Sequence, residues 1–203
     1  MKKVIFFIDG FNLYHSIEDN PTYHKYKWLD LQALCSRFTN KNEQIVNIIY
    51  FTALAHWNPG KVARHLDYIR ALENVGISIV LGKFKPKTKT CPRCNSAYGT
   101  HEEKQTDINI AIHLFKFAID NEYEKAFLIS GDSDLVPAIN EVKKRFPAKE
   151  IMAIFPINRK SKEIKSACGN GAKMSEFHLS ISLFPDPYTL KDGTILYCPS
   201  TWK

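Results

Sequence analysis

The chain has 203 residues, 44% hydrophobic and 24% charged, with a formal net charge of +7 and a pI of about 9.1. That length suits one domain with a full core, and no apolar run approaches the ~20 residues of a membrane span. Five cysteines, an odd number, argue against a disulfide-stapled scaffold, and the basic balance fits either a nucleic-acid partner or plain solubility.

Lys2 and Lys3 precede a short apolar stretch that Asp9 interrupts, which reads as a buried strand rather than a leader, so a cytoplasmic protein is expected. The strand covers 4–8 and a loop carrying Gly10 and Asn12 follows. Residues 29–38 have helical spacing with Asp30 as candidate cap, and 45–53 are β-rich. Pro59-Gly60 punctuates, 61–74 is helical through Val62, Leu66, Ile69 and Leu72, and Gly76 separates it from a strand at 77–81. Residues 83–104 break the rhythm: they are basic, contain Pro86 and Pro92, and read as an insertion projecting from the sheet. Helix resumes with Thr106 as candidate N-cap and an apolar stripe of Ile108, Ala111, Ile112, Phe115 and Ile119. Strand 126–130, helix 134–145, strand 151–155 and a short helix over 161–168 complete a domain of residues 1–180. Residues 181–203, with Leu183, Phe184 and Trp202, form a C-terminal extension expected to pack on that domain. Alternating strands and helices predict a mostly parallel, doubly wound sheet with helices on both faces.

Four carboxylates fall at element ends. Asp9 closes the first strand, Asp107 opens a helix, and Asp132 and Asp134 follow strand 126–130. Open parallel sheets bind ligands beyond the carboxyl ends of their strands, so the four are expected in one cleft. Each alone has a plain reading as a cap, a turn residue or an acid favoured by a helix dipole. Together they form an oxygen-only donor set, which suits Mg²⁺ or Mn²⁺ and chemistry on phosphate esters.

Three segments carry a family resemblance. Phe7-Ile8-Asp9-Gly10-Phe11-Asn12-Leu13, Glu103-Lys104-Gln105-Thr106-Asp107-Ile108 and residues 128–137, which contain Ser130-Gly131-Asp132-Ser133-Asp134, resemble the motifs of NYN domains. This PIN-like family includes the bacterial LabA-like group. The likeness runs in order over roughly residues 3–157, and Pro199 and Trp202 resemble the tail of bacterial members. It implies a three-layer α/β/α PIN-like fold and a Mg²⁺- or Mn²⁺-dependent ribonuclease. Asp9, Asp107, Asp132 and Asp134 are then both catalytic residues and metal ligands, with Asn12 and Ser130 as polar companions. Asn12, Ser130, Ser133 and Lys104 are candidate substrate contacts. No histidine is placed as an obvious general base, so water activation falls to one or two metal ions.

The insertion lies outside the shared core. Cys91-x-x-Cys94 is half of a structural zinc site, with His101 as candidate third ligand and the fourth from elsewhere or from a second subunit of a homo-oligomer. Plain reduced thiols and a redox pair are the other readings; Cys35, Cys168 and Cys198 are isolated. Lys83, Lys85, Lys87 and Lys89 alternate along an extended segment and, with Arg93, form either a phosphate rail or a solvated edge that discourages strand pairing. The aromatic stretch from Tyr14 and His15 through Tyr23, His24, Tyr26 and Trp28, and His56-Trp57 later, offers base-stacking surfaces or lid and core residues. His113 lies within a helix and need not be a ligand. Two rival functions remain open. One is an RNA-binding or regulatory module with little turnover. The other is a small-molecule phosphatase, for which no P-loop is present and the Asp9 motif lacks a second Asp two residues on.

Overall fold

A computed structural model describes all of residues 1–203. In chain order the elements are β1 (Lys2–Asp9), α1 (Gly10–Glu18), α2 (Leu31–Ser36), β2 (Glu43–Thr52), α3 (Pro59–Asn74), β3 (Ser78–Leu81), β4 (Lys83–Thr90), β5 (Ala97–Lys104) and α4 (Thr106–Ile119). There follow β6 (Lys125–Ile129), α5 (Val136–Arg145), β7 (Glu150–Phe155), α6 (Lys162–Cys168), β8 (Gly171–Lys173), α7 (Glu176–Ser180), β9 (Tyr188–Thr189) and β10 (Ile195–Leu196). Six strands form one parallel sheet in the order β3-β2-β1-β6-β7-β8.

Strand β1 lies inside the sheet and is covered on both faces, which is why its apolar run is unbroken rather than alternating. Val4, Phe6 and Ile8 join one core, and Ile5 and Phe7 join the other. Successive side chains point to opposite faces, so two separate cores on one sheet mean three layers, helix–sheet–helix. The chain leaves β1 toward β2 and β3, then crosses through α4 to β6 on β1's other side. The strand order therefore reverses between β1 and β6, and the crevice beyond their carboxyl ends is where such sheets bind ligands.

Several expectations needed correction. The loop expected after β1 is helix α1. Asp9 caps it, accepting a hydrogen bond from the Asn12 N–H at 3.0 Å. Gly10 at its first position and the aromatics Phe11, Tyr14 and His15 are weak helix formers, which hid it. Thr106 is the first helical residue of α4 rather than its cap. The N-cap is Gln105, whose side chain makes no capping bond, and the Glu103 carboxylate instead accepts from the Thr106 N–H at 3.0 Å and from its hydroxyl. The buried face of α4 is Ile110, Leu114 and Ala118, while Ile108, Ile112 and Ile119 are exposed. The helix is apolar on both sides, so periodicity alone selected the wrong stripe.

The insertion is the antiparallel hairpin β4–β5, paired from Lys83↔Lys104 to Thr90↔Ala97 and separate from the main sheet. The C-terminal residues return to the first core: Phe184, Leu190 and Leu196 are buried there, and the Trp28 indole N–H donates to the Pro185 carbonyl at 3.3 Å. No helix is long and apolar enough to cross a membrane.

Candidate active site

The switch point holds the acidic residues. Asp9 is 4% exposed at the end of β1. Its Oδ1 accepts the Asn12 N–H, and its Oδ2 accepts the Ser130 hydroxyl at 2.8 Å. Ser130 Oγ in turn accepts the Asp132 N–H at 3.0 Å, and Asp132 Oδ1 accepts the Asp134 N–H at 3.0 Å. Asn12 ties the two motifs together, its Oδ1 accepting the Gly131 N–H at 3.0 Å. These bonds lock the end of β1 to the segment that follows β6.

Two glycines permit this closeness. A Cβ on Gly10 would meet the Phe51 carbonyl oxygen and the Tyr50 ring, and one on Gly131 would run into the Arg159 carbonyl. Both glycines of the acidic motifs are thus fixed by close backbone approach.

The charges act on one another. Burial pushes Asp9 up to about 6 against the pull of the hydrogen bonds from Asn12 and Ser130, and Asp132 and Glu103 add to the rise. Asp107, half-buried in the first turn of α4, is pushed up to about 7. Burial is the largest cause, followed by the charges of Asp9, Asp132, Glu103 and Asp134. The structure therefore brings Asp9, Asp107, Asp132 and Asp134 to one place at the C-terminal edge of the sheet.

Glu103 joins them as a fifth carboxylate that sequence reasoning missed. The signal was present in Glu103-x-x-Thr106, a carboxylate three residues before a helix start. The basic segment Arg159-Lys160, with Lys162 beyond it, was missed too. It follows β7 at the same sheet edge, and the Arg159 carbonyl abuts Gly131.

As a metal site the donor set is chemically apt. It consists of carboxylate oxygens, each holding unused lone pairs beyond the hydrogen bonds above. It also carries a repulsion that raises two of its members and that a divalent cation would relieve. No three His, Cys, Asp or Glu side chains stand in a ready-made ligand cage.

The other candidates divide. Ser133 opens the 3₁₀ turn Ser133–Leu135 beside Asp134. Lys104 is exposed and pairs with Glu102 at 3.0 Å, and Lys87 pairs with the same carboxylate at 2.9 Å. Directly paired residues of a hairpin share a face. Lys83, Lys85, Lys87 and Lys89 therefore lie with Lys104, Glu102, Thr100 and Tyr98, on the face opposite Phe84, His101 and Glu103. The lysines do line one side, but it is turned from the acidic residue Glu103.

The three-ligand zinc site is not formed. Cys91 and Cys94 flank the hairpin tip, where the Cys91 N–H donates to the Ser96 carbonyl at 2.9 Å and the Cys94 thiol to Ser96 Oγ at 3.3 Å. His101 is held down the strand opposite Pro86, its ring stacked on Trp57 at 3.6 Å. His113 Nδ1 donates to the Asn109 carbonyl within α4, and the ring packs on Phe51 and Phe117. Trp28 and Tyr26 are core residues.

A three-layer α/β sheet with a carboxylate cleft at its switch point is the arrangement of a PIN-like nuclease. The chain belongs to the NYN domain family, whose model matches residues 3–172. Among curated proteins it is similar to 6-hydroxy-3-succinoylpyridine 3-monooxygenase HspA of Pseudomonas putida, at 27% identity over 173 residues. That match covers 68% of this chain and 54% of the relative, so the chain spans about half the relative's length. A protein of unknown function from Vibrio parahaemolyticus shares the fold, with a TM-score of 0.60 at 18% identity over 90% of this chain and 96% of that one.

Proposed function

We propose that this protein is a divalent-metal-dependent ribonuclease that hydrolyses RNA phosphodiester bonds in the acidic cleft. The observation that carries the reading is the convergence of carboxylates from three separate motifs at one end of the sheet, where burial, with the neighbouring carboxylates adding to it, pushes Asp9 and Asp107 up. A fold does not by itself hold four or five acids against their repulsion, and removing them would relieve it. Family membership supports a nuclease, and the net positive charge of the whole chain supports a polyanionic substrate.

Asp9, Asp107, Asp132 and Asp134 are the residues that would hold Mg²⁺ or Mn²⁺, which neutralises phosphate charge and makes water a nucleophile at neutral pH. The chain's own residues do the rest. Ser130 and Asn12 fix the Asp9 carboxylate, and Ser130 also fixes the Asp132 backbone, so the cleft is organised before substrate arrives. Glu103, near the end of β5, and Asp107, in the first turn of α4, set the cleft wall next to the hairpin. Lys160 and Lys162 are the groups that would meet the flanking phosphates, and the hairpin lysines, on the face turned from Glu103, would meet RNA only beyond the cleft.

The test is incubation of 5′-labelled RNA with the protein and Mn²⁺ or Mg²⁺, against EDTA and against Asp132→Asn. Cleavage that needs both the metal and Asp132 supports the reading. Binding of RNA with no cleavage under any metal supports the alternative of a regulatory RNA-binding module.

A further inference from the structure

A cavity of about 490 Å³ opens beside the acidic cleft and is not used by the reading above. It runs from Gly10, next to Asp9, to Glu103, so it shares a wall with the carboxylates. Its volume is that of an ordinary small-ligand pocket, ~300–1,000 Å³. One side is a chain of rings: Phe11 meets Phe84 edge-on at 5.3 Å, Phe84 meets Trp57 edge-on at 4.7 Å, and Trp57 lies flat on His101 at 3.6 Å with 3° between planes. Trp57 is 44% exposed, so part of its ring is open to a ligand. Lys61 and Arg64, one turn apart on α3, also line the cavity, and neither is held by a carboxylate.

We propose that this cavity is a nucleobase subsite, which takes one unstacked base of a single-stranded RNA against the Trp57 wall while Lys61 and Arg64 meet the neighbouring phosphate. The proposal rests on the ribonuclease reading for the identity of the polymer. A planar, apolar, ring-lined wall beside free cations is the usual platform for single-stranded nucleic acid, because every base offers a π face and every linkage a negative charge. Position favours a base over a free heteroaromatic acid. The cavity touches the carboxylate cleft through Gly10 and Glu103, so a base seated in it can carry its phosphate toward the metal residues. His65 supplies a polar edge inside the cavity: its Nε2 lies 3.3 Å from Thr52 Oγ1, and burial pushes it down to about 4, so it meets the base as a neutral imidazole.

The probe is a short single-stranded RNA carrying one 2-aminopurine, titrated in EDTA so that nothing is cleaved. The wild type should bind it and quench its fluorescence by stacking. Trp57→Ala should bind about 5- to 100-fold more weakly and lose most of the quench, and Trp57→Phe, which keeps a ring, should retain most of both. Unchanged binding and quench in Trp57→Ala overturns the proposal. So does an equal loss in Trp57→Phe, which would mark a packing role. Pyridine-3-carboxylate is the competing probe, chosen because the curated relative's name gives a pyridine substrate; tight binding of it together with no quench of the RNA overturns the nucleobase assignment. The two readings fail separately. RNA cleavage with no effect of Trp57→Ala removes the subsite alone, and Trp57-dependent quenching without cleavage keeps the subsite while removing the ribonuclease.

Discussion

Replacing Asp9 by Asn removes one negative charge from the most buried position of the cleft while preserving its shape. Asp9 stands at about 6, against an ordinary value of 3.8. At ~1.4 kcal/mol per unit that is on the order of 3 kcal/mol held against the ionised fold. The sign follows from proton counting. Between pH 4 and pH 6 the folded state keeps a proton that the unfolded chain has shed, so stability from this group is fully present below pH 4 and is lost as pH rises through 6. The amide keeps the acceptor for the Asn12 N–H but turns an NH₂ toward Ser130, whose hydroxyl must then accept from it as well as from Asp132, at a cost of about 1 kcal/mol. In EDTA, Asp9→Asn should therefore be about 1–2 kcal/mol more stable than wild type at pH 8 and no more stable at pH 4, as read by urea unfolding at both pH values. With Mn²⁺ added, wild type should gain stability at pH 8 and the variant much less. RNA cleavage by the variant should fall by at least ~10². A variant less stable than wild type in EDTA at pH 8, or one with near-wild-type turnover, would refute the assignment of Asp9 as a strained metal carboxylate.

Other perturbations follow from the same geometry. Glu103→Gln removes a charge acting on Asp107 but keeps an acceptor for Thr106, so the pKa of Asp107, read by NMR titration, should fall while the far-UV spectrum stays unchanged. Gly131→Ala forces a methyl group into the Arg159 carbonyl and should cost about 1–3 kcal/mol in thermal unfolding, with loss of cleavage. Lys160→Ala/Lys162→Ala should make the salt dependence of RNA binding shallower, by roughly 0.7 in log–log slope per lost contact. Lys85→Ala/Lys89→Ala/Arg93→Ala tests the hairpin rail with the same measurement; an unchanged slope would make those lysines a solvated edge. Phe184→Ala empties a core position under Trp28 and should cost about 3–5 kcal/mol in urea unfolding, whereas a neutral result would detach the C-terminal residues from the core.

The sheet was legible because its central strands are covered on both faces: the run from Val4 to Ile8 and the run from Ala126 to Ile129 announce buried parallel strands without any alternation to decode. The acidic residues were legible for the same reason, since Asp9 directly follows such a run, Asp132 and Asp134 lie three and five positions past one, and Asp107 stands at a helix start. What stayed hidden depended on side chains acting at a distance. Helix α1 begins with a glycine whose purpose is contact with Tyr50 and Phe51, far along the chain. Glu103 looked like one of several charges in a basic insertion until the hairpin register turned it, with Phe84 and His101, away from the lysines. Cys91, Cys94 and His101 are near in sequence, but an extended strand carries the histidine away from the tip and onto Trp57. The aromatic cavity draws on α1, α3 and the hairpin, and no local pattern joins them.

The proposed ribonuclease activity requires the carboxylate cleft to activate water for attack on an RNA phosphodiester. The most direct measurement is the chemistry of the product ends from a uniquely labelled RNA cleaved with Mn²⁺ by wild type and by Asp132→Asn. Attack by water predicts linear phosphate and hydroxyl ends with no 2′,3′-cyclic phosphate, formed by wild type and reduced at least ~10²-fold in the variant. Cyclic ends, which mark attack by the RNA's own 2′-hydroxyl, or equal cleavage by the two proteins, would contradict it.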